Sequence, residues 1–566
     1  MTETSKKKGI AIGREDFKEM IDKQAYFVDK TLMIKDIIDS QSKVTLFTRP
    51  RRFGKTLNLS MLRRFLEDER KADGSPVDNR HLFDGLAISQ CGEDVLRHQQ
   101  QYPVISISLK SAKQPNYEMA YKCLTDEIAK EFERHRYVLQ TDTISTANKI
   151  RFEQIADRKA EASEFAKAFA FLSECLSVYH GMNTIILIDE YDVPLENAYF
   201  TGFYDEMIGF IRSLFESGLK TNPYLERGII TGCLRISRES IFTGLNNLKM
   251  DSVLHTSFGS SFGFTEDEVK SILEYYGLQE CFPEVKSWYD GYLFGGEEIY
   301  NPWSILNYVD DHDKKITRYP LPYWSNTSSN SIVRNLVRNA DKKTRDEIEL
   351  LIAGKTIEKP VHEDITYGDM DSTQDNLWNF LYFTGYLKAV SQSFRNDQLY
   401  LNLQIPNREL KSIYRNTVQD WFRDSIAGND FSSLRTSLEA GDCVTIGEYL
   451  SEKLMATISY YDYDESYYHG FLAGILNGMG GYDVLSNRES GEGRPDIVLK
   501  EQKFCGRAMI LELKVTDNIH RMEEQCRAAL EQIETRNYAE ELESDGYEPI
   551  LKYGICFYKK GCKVSK

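Results

Sequence analysis

Gly54, Lys55 and Thr56 follow a short apolar run and an arginine-rich stretch, so that residues 45 to 62 read TLFTRPRRFGKTLNLSML. Glycine, lysine and a hydroxyl residue in that order suit a loop that wraps phosphate. Consecutive backbone N–H groups and a helix start converge on the anion, the lysine reaches the terminal phosphates, and the hydroxyl holds magnesium. The commoner form of such a loop has a glycine five positions before Gly54, where this chain has Arg49. That glycine normally supplies a tight turn which other backbones can sometimes provide. On the triplet alone, a basic loop opening an ordinary helix is an equal alternative.

The second half of the pattern lies downstream. TIILIDEYDVPL, Thr184 to Leu195, sets Asp189 and Glu190 at the end of an apolar strand, where a magnesium-coordinating carboxylate and a water-polarising carboxylate belong. The order strand, Gly-Lys-Thr, strand, Asp-Glu is much harder to obtain by chance than either piece. A further strand, in GIITGCLRISRES, ends in Thr231, a polar residue placed to sense a terminal phosphate. It continues to Arg235 and Arg238, either of which could stabilise transition-state charge or simply lie on the surface. With Arg52, Phe53, Gly54, Lys55 and Thr56 in the loop, Asp189, Thr231 and Arg235 complete a set expected to contact ATP. Thr56 and Asp189 are its magnesium ligands and Glu190 its catalytic carboxylate.

A separate constellation stands near the other end. In GRPDIVLKEQKFCGRAMILELKV, Asp496 precedes one strand and Glu512 and Lys514 stand two apart on the next. Residues i and i+2 of a strand share a face, so Glu512 and Lys514 emerge together while Leu511 and Leu513 point the other way. Asp496 meets Glu512 if the two strands pair as a hairpin across a turn near Cys505 and Gly506. Two carboxylates and a lysine suit Mg²⁺, or Mn²⁺, acting on a phosphodiester: the metal sharpens a water and steadies the leaving oxygen while the lysine orients the water. A charged edge of a small sheet is the plain alternative. DESYYHGFLAGIL places Glu465 and His469 on one helix face; His469 reads as a packed residue. Gln525 and Gln532 lie on the amphipathic helix after the Glu-x-Lys strand and could touch substrate or metal-bound water.

The elements that must position these groups fall into four stretches. Residues 1–264 alternate β-type runs (VTLFT, YPVISISL, TIILIDE, ERGIITGC) with helical ones, which implies a parallel sheet with right-handed crossovers. Residues 265–345 open with a capping box at Thr265 and Glu268 and read as helical, interrupted by a turn-rich loop from Trp288 to Ser304. Residues 346–431 read as a small mixed connecting domain, and 432–566 as a separate α/β unit. With 41% hydrophobic residues the chain is globular, and its net charge of −17 argues against coating nucleic acid through bulk charge. Any such contact must be local or metal-mediated. No leader-like or membrane-spanning apolar run stands out, so a soluble cytoplasmic protein with no membrane partner is expected. Ten scattered cysteines without C-x-x-C spacing indicate reduced thiols, not zinc or disulfides.

At these motifs the chain resembles bacterial proteins that join an AAA-ATPase-like N-terminal domain to a C-terminal domain of the PD-(D/E)XK nuclease superfamily. YFVDKT, TRPRRFGKT, LIDEYD, SIFTGLNNL, WYDGY and YNPWS carry the resemblance across nearly the whole chain. In that family R-P-R-R-F-G-K-T is the usual loop, so Arg49 is no departure. The resemblance implies an α/β multidomain fold: a P-loop NTPase-type parallel sheet with a helical lid, a small mixed domain, and a restriction-endonuclease-like C-terminal domain. It also implies Glu465 as a further metal ligand and favours Gln532 over Gln525. The leading expectation is an ATP-binding, ATP-hydrolysing protein whose metal-dependent nuclease domain cuts DNA or RNA under nucleotide control. The rival is a nucleotide-dependent switch or signalling ATPase whose nuclease-like domain only binds a partner or nucleic acid. Either is compatible with a homo-oligomer.

Overall fold

The structure, a computed structural model, describes residues 7–234, 241–242, 247–326, 333, 341–362, 374–426, 431–456, 465–486, 495–503 and 506–566. Arg235 and Arg238, much of SIFTGLNNL, and Cys505 lie outside the described residues. The chain forms two compact units: Met1–Ser328 with Glu358–Leu410, and Ser329–Ile357 with Lys411–Lys566. The stretches 265–345 and 346–431 of the sequence reading each divide between the two. No described helix is long and apolar enough to cross a membrane.

The first unit is built on five parallel strands: β1 (Val44–Thr48), β2 (Val104–Ser108), β3 (Thr184–Asp189), β4 (Leu225–Gly232) and β5 (Leu248–Asp251). Their spatial order is β2-β3-β4-β1-β5. Every residue of β1 and β3 is buried, as strands covered on both sheet faces must be, which is why their interiors read as largely apolar. Because β4 lies between β1 and β3 and all run the same way, one edge gathers the loop after β1, Thr231 near the end of β4, and Asp189 at the end of β3. Ligands of open α/β sheets sit at such strand ends. β2 is an outer strand, and its outward groups are met by side chains. The Ser106 N–H donates to Glu131 Oε1 (2.7 Å), and Arg134 Nη2 donates to the Val104 carbonyl (2.7 Å). The sequence reading had missed β5, whose four residues, LKMD, are too short to show a period.

Beyond the sheet, the capping box at Thr265 and Glu268 opens the helix Glu266–Tyr276 as expected. The stretch Trp288–Ser304 is not the turn-rich loop expected from its glycines. It holds a hairpin of β7 (Tyr292–Phe294) and β8 (Glu297–Tyr300), to which β6 (Phe264–Thr265) adds a third strand, and then starts the helix Pro302–Asp313, capped by Asn301. Gly295 and Gly296, at φ of 59° and 94°, make the hairpin turn, and strands of three and four residues are too brief to register beside them. A second small sheet has the order β10-β11-β9, from β9 (Ile357–Val361), β10 (Lys388–Arg395) and β11 (Gln398–Gln404).

The second unit has a mixed sheet in the order β12-β13-β14-β15-β16, from Tyr482–Ser486, Ile497–Glu501, Ala508–Val515, Ile550–Tyr558 and Gly561–Ser565. β13 and β14 are antiparallel; β14 and β15 are parallel. One face, with Leu511, Leu513, Ile555 and Phe557, packs on helices that include Glu465–Gly478. The other, with Ile510, packs on Ile533 of the helix Met522–Thr535.

Arg49 explains how the phosphate-type loop does without its first glycine. The side chain is fully buried, donates to the Thr48 and Asp251 carbonyls (2.9 and 2.8 Å) and to Asp251 Oδ1 (2.6 Å), and lies over the Phe262 and Phe294 rings. It thereby ties the end of β1 to the end of β5. Removing either partner strands a buried charge, which costs about 3 to 5 kcal/mol. Arg49→Gly, which restores the commoner loop, and Asp251→Ala should each lower stability by that amount in urea unfolding. An unchanged midpoint would show that the pair does not hold the loop.

Candidate functional sites

The loop between β1 and the helix Lys55–Leu66 turns through left-handed backbone at Arg52 (φ 71°) and Gly54 (φ 83°), which delivers Lys55 and Thr56 onto the first helical turn. Lys55 Nζ donates to the loop's own carbonyls, those of Arg49 and Pro50, both at 2.9 Å. Thr56 Oγ1 donates to Asp189 Oδ2 (2.6 Å), and Thr231 Oγ1 donates to the other oxygen, Oδ1. One carboxylate thus gathers hydroxyls from two other elements. Glu190 follows at φ 53°, an uncommon conformation for a residue with a side chain; burial, and then the neighbouring Asp189, push its carboxyl above the usual range.

The other loop side chains are spent on the protein. Arg51 pairs with Glu196, and the Arg52 guanidinium lies 4.3 Å from the Trp303 ring centre. Phe53 is buried against Tyr292 and Phe294. The motifs WYDGY and YNPWS therefore form the wall of the loop. The Arg51 carbonyl accepts from Trp324 Nε1 (3.4 Å) and Asn301 Nδ2 (3.5 Å), and Gly385 lies so close to Pro50 that an added Cβ would sit 2.8 Å from the proline Cβ. Two acids went unnoticed in the sequence. Asp192, buried beyond the Asp-Glu pair, accepts from the Cys233 and Leu234 N–H groups (2.8 and 3.2 Å) and so fixes the chain leaving β4. Glu409 is fully buried, accepts from the Trp324 N–H (2.8 Å) and from Ser304 Oγ (2.9 Å), and is pushed up to about 7 by burial.

In the second unit the expected hairpin is present. Ile497 pairs with Leu511, so Asp496 and Glu512 meet across the ladder. Asp496 Oδ2 accepts from the Leu513 N–H (2.7 Å), and its own N–H donates to Glu512 Oε2 (3.4 Å). Gln532 bridges the motif: its amide nitrogen donates to Glu512 Oε1, and its carbonyl accepts from Lys514 Nζ (2.7 Å), which is 3.6 Å from Glu512. Glu512, 2% exposed, is pushed up to about 7 by burial first and then by Asp496. Two carboxylates crowded in this way are hard oxygen donors, and a divalent cation would relieve their repulsion, so the donor chemistry fits Mg²⁺ or Mn²⁺. The Thr56 hydroxyl with the Asp189 carboxylate fits Mg²⁺ on the same grounds.

His469 does more than pack: its Nε2 lies 2.9 Å from the Asp496 carbonyl and 3.1 Å from Ser486 Oγ. Glu465 is exposed at the first turn of its helix. Among the described residues, no three His, Cys, Asp or Glu side chains form a ready metal cage.

Residues 11–242 match the family model described as predicted AAA-ATPase, and residues 463–566 match that of the PD-(D/E)XK nuclease superfamily. The chain therefore joins an AAA-ATPase-like domain at its N-terminal end to a PD-(D/E)XK nuclease-superfamily domain at its C-terminal end. A protein of Azotobacter chroococcum mcd 1, described as an uncharacterized protein in the vnfD 5′ region, is 24% identical over 578 residues, covering 99% of this chain and 98% of its own. A Walker-type ATPase of Pyrococcus abyssi aligns with 69% of this chain and 96% of its own, at a TM-score of 0.33 and 13% identity.

Glu409 makes the wall of the loop sensitive to pH. It faces the phenols of Tyr289, Tyr292 and Tyr323, whose own pKa values it helps to raise. A carboxyl raised in the folded state binds more protons folded than unfolded. Its stabilising contribution is therefore full below the ordinary glutamate pKa of about 4.5 and is lost as pH rises through about 7. Urea unfolding should show wild type losing stability relative to Glu409→Gln between pH 5 and 7. Parallel profiles would refute the assignment.

Proposed function

We propose that the chain binds and hydrolyses ATP with Mg²⁺ at Gly54, Lys55, Thr56, Asp189 and Glu190, and cleaves phosphodiester bonds of DNA or RNA at Asp496, Glu512 and Lys514, with nucleotide state controlling cleavage. The observation that carries this reading is the meeting of Asp496, Glu512, Lys514 and Gln532 at one point of the second sheet.

At the first site Lys55 exchanges the Arg49 and Pro50 carbonyls for phosphate oxygens, and the backbone turn at Arg52 to Gly54 cradles the anion. Thr56 and Asp189 would hold the magnesium, Thr231 holds Asp189 in place, and Glu190 would accept a proton from the attacking water. Arg235 is retained as the residue offsetting charge on the leaving phosphate. At the second site Asp496 and Glu512 would hold the metal; Glu465, exposed at its helix start, is not gathered with them into a ready cage and would join only on metal binding. A divalent ion bound there supplies a more acidic water and a counter-charge to the leaving oxygen. Lys514, oriented by Gln532, positions the water, and His469 holds the Asp496 backbone.

Asp496→Ala should abolish Mg²⁺- or Mn²⁺-dependent cleavage, as should chelation by EDTA; equal cleavage by wild type and variant would sink the nuclease reading. ATP turnover with nucleic acid left intact would favour the nucleotide-dependent switch. For the first site, Lys55→Ala should lose ATP binding. Glu190→Gln should keep binding while slowing turnover on the order of a hundredfold or more, the usual worth of a general base. Turnover by Glu190→Gln at the wild-type rate would remove Glu190 from that role.

A further inference from the structure

We propose that the nuclease-like unit carries a nucleotide-recognition subsite at the far end of β14, formed by Thr516, Asp517, Arg521, Gln525, Tyr558 and Lys559. It takes one unstacked base, with its phosphate, from the strand whose scissile bond lies at Asp496 and Glu512. The inference rests on the nuclease reading above and specifies how that site holds its substrate.

These six residues, with Val515, line a cavity of about 570 Å³. It continues the metal-type site in two directions. Along β14 the chain passes from Glu512 and Lys514 directly to Val515 in the cavity wall. Along the helix Met522–Thr535, Gln525 is seven residues before Gln532, two turns, so both face the same way about 10 Å apart. That separation is about three stacked base steps at ~3.4 Å each. One helix face therefore offers an amide to the carboxylates and another amide to the cavity.

The lining has the three things a nucleotide asks for. Tyr558, half-buried at the end of β15, presents a ring, and bases of any sequence stack on aromatic side chains. Lys559, held at φ 51°, keeps its ammonium 5.4 Å from that ring centre, while its carbonyl accepts from Tyr468 OH (2.7 Å). The helix that carries Glu465 thus fixes this corner. Arg521 pairs with Glu524 at 3.2 and 3.3 Å, but both side chains are more than half exposed, so a phosphate can displace the glutamate cheaply. Asp517 supplies only acceptors, Gln525 a donor and an acceptor, and Thr516 a hydroxyl, a set able to read the hydrogen-bonding edge of a base. Local recognition is also what the charge balance demands, since a chain of net charge −17 cannot hold nucleic acid through its overall field.

The test uses the full chain carrying Asp496→Ala, so that bound strands stay intact, and fluorescein-labelled single-stranded DNA and RNA ten-mers without divalent metal. Fluorescence anisotropy should show Tyr558→Ala and Arg521→Ala each weakening binding about tenfold, the scale of one lost stacking contact. Gln525→Ala should change the ranking of homopolymers. Glu531→Ala, an exposed change on the same helix, should bind as the parent does, and circular dichroism checks that each variant is folded. Equal affinity for parent, Arg521→Ala and Gln525→Ala overturns the subsite, as does absence of binding by the parent. Cleavage by the unmutated chain is read separately. Binding lost in Arg521→Ala without any cleavage keeps the subsite and removes the nuclease reading; cleavage with no effect of the cavity variants does the reverse.

Discussion

The first unit depends on a buried ion pair between Arg49 and Asp251. A phosphate loop must leave its strand, reverse, and enter a helix within a few residues, and the usual way to begin that turn is a glycine. Here the turn begins with a guanidinium that is fully buried, held by three carbonyls and one carboxylate and covered by two phenylalanine rings. The carboxylate comes from the last residue of β5, a four-residue strand paired with β1. The loop is therefore anchored to the sheet through a side chain, and its geometry follows from a contact some two hundred residues away in sequence.

This anchor shows what was and was not legible in the sequence. Gly54, Lys55, Thr56, Asp189 and Thr231 could be read because each follows or ends a strand with a largely apolar, buried run, and such strands advertise themselves. The two-residue period of β14 put Glu512 and Lys514 on one face, and the meeting of Asp496 with Glu512 was legible only on the condition of a hairpin, which the pairing of β13 with β14 supplies. Asp251 could not be read, because a four-residue strand has no period and an isolated aspartate no context. The hairpin from Tyr292 to Tyr300 was hidden by its own glycines. Glu409 was unreadable for another reason: its meaning lies in Ser304 and Trp324, which reach it only through the fold. Domain limits drawn along the chain also miss that residues 329–357 and 358–410 belong to different compact units.

The two sites share a design. In each, a lysine that faces the expected anion is already hydrogen-bonded by the protein: Lys55 by the Arg49 and Pro50 carbonyls, Lys514 by Gln532. In each, a second carboxyl close to an aspartate is pushed upward by burial and by that neighbour, Glu190 beside Asp189 and Glu512 beside Asp496. On the proposed reading, a metal ion at either place would relieve a repulsion already present, and each lysine would exchange a neutral oxygen for a phosphate oxygen.

The side chains along β2 bear on how this protein keeps company. An outer strand ordinarily exposes a row of N–H and C=O groups that another chain can copy onto. Glu131 and Arg134 already occupy the Ser106 N–H and the Val104 carbonyl on that border. A foreign strand arriving there would find its first two bonds taken by an acid and a base that are themselves paired at 2.6 Å. Strand addition is therefore opposed at the β2 border, and β5 is the other outer strand of this sheet.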